Sequence, residues 1–153
     1  MPLHALRSLA AALVLVAAGA CAAPVAGPLD HLPVVSVRAG ATELRLALAQ
    51  DRTRGLAGID GVGELDGMLF DYGAEVAPAA HPFWMAGVRF PLEITFFAAD
   101  GRLVDRVTMA PCADGSGCPS HVAAAPFRWV AEAPPGRLGD GGLLVRDVAP
   151  GAT

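Results

Sequence analysis

The chain has 153 residues, 54% of them apolar, and a net charge of −4, which suits one domain with a buried core. Its basic side chains are all arginine and no segment concentrates them. The basic stripe that displaces counterions from phosphates is therefore missing, which excludes a nucleic-acid partner. With no lysine and no asparagine anywhere, Schiff-base chemistry, a P-loop lysine and N-glycosylation are excluded as well.

The N-terminal segment predicts export. His4 and Arg7 precede an apolar run over residues 9–20, too short for the ~20 residues that span a bilayer. A short positive region, a short apolar region and small residues before a cut form the pattern of a secretory signal peptide. We read residues 1–20 as a signal peptide of an exported bacterial protein. Ala18-Gly19-Ala20-Cys21 resembles a lipobox, with Ala18 where leucine is preferred. On that reading Cys21 carries a lipid anchor, the chain's one contact with a membrane, and the protein resides in the periplasm or outer envelope. The alternative is ordinary cleavage after small residues, leaving a soluble periplasmic protein.

Residues 21–33 hold Pro24, Pro28 and Pro33 with little periodicity and read as a flexible tether. A single β-rich domain is expected over 34–150. Segments 34–38 and 42–48 alternate, with Leu44, Leu46 and Leu48 on one face and Glu43 and Arg45 on the other, the pattern of half-buried strands. The period breaks over 51–58, where Asp51 suits a helix cap but Gly55 and Gly58 oppose a long helix. Runs 67–70 and 83–85 read as short buried strands. Segments 92–97 and 102–108 flank Asp100-Gly101, a hairpin signal. A strand over 127–133, a loop or single helical turn over 134–142 and a closing strand over 143–148 complete the domain. The expected fold is mostly β, a small barrel-like or sandwich domain of short antiparallel strands with one or two short helical turns.

Several spaced motifs, Arg52-Thr53-Arg54-Gly55-Leu56, Gly67-Met68-Leu69-Phe70, Phe83-Trp84-Met85, Pro91-Leu92-Glu93, Asp100-Gly101-Arg102-Leu103-Val104, Met109-Ala110-Pro111-Cys112 and Cys118-Pro119, stand in the order found in the Domain of Unknown Function 192 family. The chain resembles that family from about Thr42 to Val148. The resemblance implies a compact, barrel-like, often exported domain without an established activity. It departs at Ala86-Gly87-Val88, where the family shows Lys-Asn-Thr, at Glu93, where it shows Asp, and at Ala57, where it shows Met.

Three groups of residues bear on chemistry. Cys112 and Cys118 suit a disulfide in an oxidising compartment; a copper or zinc site with His121 and Met109 is the alternative. Phe83 and Trp84, with Glu93 and Arg54, suit a ligand shelf in which a ring stacks and a carboxylate holds polar groups; the same aromatics would equally serve as core. Glu93, Asp66 and His81, with Glu64 and Asp71 beside them, are the candidates for acid–base work, and Arg52 and Arg54 for binding an anion. No cofactor motif is present. The expected function is a non-enzymatic envelope module that binds a small molecule or a protein partner. The alternative is a hydrolase acting on envelope carbohydrate.

Overall fold

The computed structural model describes residues 27–49, 52–53, 55–112 and 116–149, the last three in their backbone alone. The expected signal peptide, Cys21, the cap at Asp51 and Arg54 lie outside the described residues. Nine strands run through the described residues: β1 (Val34–Ala39), β2 (Thr42–Leu48), β3 (Gly67–Val76), β4 (Phe83–Trp84), β5 (Leu92–Phe97), β6 (Leu103–Met109), β7 (Ser120–His121), β8 (Phe127–Ala133) and β9 (Leu143–Ala149). Seven form one sheet in the order β6-β5-β8-β3-β2-β1-β9, curled into a half-barrel, and β4 pairs with β7 in a small second sheet.

The strands form where apolar side chains sit at a period of two. In β2, Leu44 and Leu46 are buried while Glu43 and Arg45 face solvent. In the middle of the large sheet both faces are covered, so β5 and β8 are buried along most of their length. Met68, Phe70, Ile94, Phe96 and Val130 pack on one face; Leu69, Phe97, Ala131 and Ala133 pack on the other with Val35, Val37 and Leu46.

Two features depart from the sequence expectation. The pair β2–β3 runs parallel, with Leu46 opposite Gly67 and Leu48 opposite Leu69; the long connection over 49–66 gives the chain room to cross back. Among the described residues the short helical turn is a 3-10 turn at Pro78–Ala80, rather than within 134–142, and Pro78 presets its backbone. Part of the expected tether is also packed onto the domain. Leu29 is only 3% exposed, within the core formed by Leu65, Val62 and Met68. The turn that places it is held by the Gly27 N–H donating to Asp30 Oδ2 at 2.6 Å and the Leu32 N–H donating to Leu29 O at 2.9 Å.

Between the outer strands β6 and β9, polar contacts do the joining. The Leu143 N–H donates to Gly101 O at 2.7 Å, and Arg106 donates to Gly139 O at 2.8 Å and to Asp140 Oδ1 at 2.7 Å. Gly101 ends the β5–β6 hairpin, where the Gly101 N–H donates to Ala98 O and the Ala98 N–H to Arg102 O. Its φ of 82° lies in the left-handed region, and a Cβ there would run into the Leu143 carbonyl oxygen. Gly101→Ala is therefore expected to lower the unfolding free energy by roughly 2–3 kcal/mol, from strain plus the displaced contact. Urea denaturation checks it; a change within the ordinary surface range would show that this approach does not hold the two ends together.

Candidate functional site

The two-stranded sheet sorts the Phe-Trp-Met motif by alternation. Phe83 and Met85 point inward and are buried, whereas Trp84 between them is 50% exposed. Phe83 packs edge-on against Phe96 at 5.2 Å and Phe70 at 6.0 Å between ring centroids. Trp84 is left at the rim of a cleft of about 630 Å3, within the range of small-molecule sites. Phe83, Phe70 and Tyr72 contribute apolar wall, and Arg52, Thr53, His81 and Glu132 supply the polar groups.

Strand β4 is held in place from two sides. It pairs with β7, Phe83 opposite His121 and Trp84 opposite Ser120. The segment after it is fixed by the Gly87 N–H donating to Cys112 O at 2.9 Å and the Cys112 N–H donating to Val88 O at 3.2 Å. Cys112 and Cys118 form a disulfide with their Cα atoms 5.8 Å apart, so the loop that begins beside β4 is stapled where it leads into β7. Both sulfurs are thereby unavailable as thiolate ligands. His121 Nε2 lies 2.8 Å from Asp105 Oδ2, which also accepts from the Ala124 N–H at 3.1 Å. Burial alone would push the Asp105 carboxyl up, but these bonds and the Arg106 N–H outweigh it and hold the group below its ordinary value.

The sequence candidates separate in space. His81 lines the cleft and meets Tyr72 edge-on at 4.9 Å between centroids. Arg52 lies over the Tyr72 ring, 4.9 Å from its centroid, and donates to Asp71 O at 3.1 Å. Glu93 is elsewhere. It alternates with Ile94 on β5 and so stands on the opposite face of the sheet, 3.7 Å from Arg106. Asp66 anchors the entry to β3, accepting from the Arg45 N–H at 2.8 Å. Asp71 forms a two-pronged pair with Arg128 at 3.0 and 3.2 Å; partial burial raises its pKa, and Arg128 together with the Gly73 N–H outweighs that rise. Glu64 is exposed in the 49–66 connection.

The carboxylate in the cleft is Glu132, which is not among the residues singled out from the sequence. Glu132 of β8 pairs across to Met68 of β3 and Ile94 of β5 and is 7% exposed. Burial pushes its carboxyl up to about 7. The signal in the sequence is the position of a glutamate in phase with Val130 on a strand whose flanking residues, Ala131 and Ala133, also become buried.

The profile of the family DUF192, uncharacterized ACR, matches residues 35–148. The chain belongs to this family. No functionally curated protein matches it. Among solved structures, the DUF192 chain is similar to a Sinorhizobium meliloti 1021 protein provisionally assigned as a transcription regulator, at 22% identity with a TM-score of 0.57, over 78% of this chain and 98% of that one. It is also similar to a protein of unknown function from Novosphingobium aromaticivorans DSM 12444, at 24% identity with a TM-score of 0.56, over 83% of this chain and 94% of the other. These likenesses establish the fold. One departure from the family pattern now has a structural account: Gly87, standing where the resemblance expects asparagine, has φ +75°, and asparagine and glycine are the residues that accept that region most readily.

The buried glutamate makes stability depend on pH. Because the folded chain holds this proton more tightly than the unfolded one, the contribution is complete below about pH 4.5 and is lost as the pH climbs to about 7. At ~1.4 kcal/mol per pH unit, roughly 3 kcal/mol disappears across that window. Glu132→Gln is expected to remove this slope, so that its stability relative to the parent rises between pH 5 and pH 8. Urea unfolding of both proteins at the two pH values checks it, and parallel behaviour would show that Glu132 is already ionised below pH 5.

Proposed function

We propose that this DUF192 chain is an exported cell-envelope module whose cleft beneath Trp84 binds a small organic molecule. The observation that carries the reading is the juxtaposition of a half-exposed Trp84 ring with a buried Glu132 in one concave site. An apolar pocket with a few convergent polar groups is the ordinary form of a ligand site. A carbohydrate hydrolase of the common kind needs two carboxyl groups flanking the scissile bond. Glu132 is the one carboxylate among the described residues that line the cleft, so binding is favoured over hydrolysis.

Trp84 can report on occupancy directly once Trp129, the other tryptophan, is replaced by phenylalanine. Titration with small benzyl compounds is expected to change the Trp84 emission. Trp84→Ala is expected to weaken their binding, measured by calorimetry, by about tenfold, the loss of one stacking contact and its buried area. Binding unaltered by Trp84→Ala would remove the cleft from consideration.

The envelope setting is supported by the N-terminal pattern of residues 1–20 and by the Cys112–Cys118 disulfide, a bond that persists in oxidising compartments. In the bacterial envelope the mature chain is expected to begin at a lipid-modified Cys21, as read by mass spectrometry of the N-terminal peptide. A start at Ala23 would replace the anchor by a soluble periplasmic form, and Met1 retained in the cytosol would overturn export.

A further inference from the structure

The polar groups of the cleft differ in how far their interactions are already satisfied. The Arg52 guanidinium is engaged with the Tyr72 ring and with Asp71 O, and the His81 ring meets Tyr72 edge-on. Deep in the cleft, the Glu132 carboxyl has no hydrogen-bond or ion-pair partner among the described residues, and it is more than nine-tenths buried. Its neighbours on β3 and β5 are the apolar Met68 and Ile94. Across the cleft the chain comes close with a residue that has no side chain: a Cβ on Gly55 would fall 3.6 Å from Glu132 Oε2 and 3.4 Å from the Phe70 ring. Glu132 thus faces a cleft whose lining includes the rings of Phe70, Tyr72, Phe83 and Trp84.

An ionised carboxyl removed from water without donors is strongly disfavoured, and a partner that brings a positive charge and N–H groups relieves most of that penalty. A second carboxylate brought to the same place would add repulsion to the desolvation. The walls are apolar and aromatic, and a π face attracts cations as well as hydrocarbon. We infer that the cleft selects an organic cation, a molecule with a flat apolar body that lies against Trp84 and a primary amine or amidine head that pairs with Glu132. This rests on the cleft being a ligand site and adds the chemical class of the ligand. Arg52 offers the competing anion-binding outcome.

Three probes with one ring and three heads separate these outcomes: benzylamine, benzyl alcohol and benzoate, each titrated by calorimetry into the full mature domain at pH 8, where Glu132 is ionised and the amine remains charged. Benzylamine is expected to bind at least about tenfold more tightly than benzyl alcohol, the gain of one charge-assisted pair. Glu132→Gln should bring benzylamine down to the level of the alcohol and leave the alcohol unchanged. Removing an unpartnered buried charge does not threaten folding, and thermal unfolding of the variant verifies that. An amine preference that survives Glu132→Gln, or equal binding of amine and alcohol, overturns the cation while the ligand site stands. Benzoate binding tightest, and weakened by Arg52→Ala, overturns it in favour of an anion. If none of the three binds, the cleft as a ligand site falls and the cation inference falls with it.

Discussion

The architecture depends on a knot of aromatic rings where the two sheets meet. Phe83 of the small sheet touches Phe70 of β3, Phe96 of β5 and Phe127 of β8, all edge-on, and Phe127 in turn meets Phe96 and Tyr72. Edge-to-face pairs contribute ~0.5–1.5 kcal/mol each beyond the area they bury. Three neighbouring strands of the large sheet are thereby joined to a strand only two residues long, which backbone pairing alone would not hold. Because Phe83 is fixed inward, alternation leaves Trp84 no choice but to face out. The exposed ring at the cleft is thus a geometric by-product of the buried ring beside it.

Much of this was legible from the chain. Strands β1, β2, β5 and β9 could be read because their apolar residues repeat at the pleat period or run unbroken between turn residues, and the β5–β6 hairpin because Asp100-Gly101 interrupts two such runs. The second half of β3 was not legible, since Asp71, Tyr72, Gly73 and Glu75 carry no apolar pattern. Strand β7 has only Ser120 and His121 and owes its existence to the pairing with β4 and the nearby disulfide. That disulfide was legible as cysteine arithmetic, because only two cysteines remain once Cys21 is set aside. The parallel direction of β3 was hidden, as direction is decided by a crossing that no local signal marks.

Phe83 and Trp84 line the cleft together with Glu132, whereas Glu93 does not. Glu93 lies close to Trp84 in sequence, but strand parity sends it through the sheet to Arg106, while Glu132 arrives from a distant strand on the correct face. Proximity along the chain is a poor guide to facing in a β protein, where one residue of offset exchanges inside for outside. The same parity turns Glu132 to the face it shares with Met68 and Ile94.

The polar closure between β6 and β9 has a consequence for how the protein behaves in company. An open curled sheet ends in two strands whose unpaired backbone groups are templates for foreign strands, the first step of sheet-on-sheet aggregation. Here Asp105 and Arg106 place charges on one of those margins, and Arg106 reaches across to the turn that precedes the other. An incoming strand would have to displace a guanidinium from two oxygen partners before it could dock.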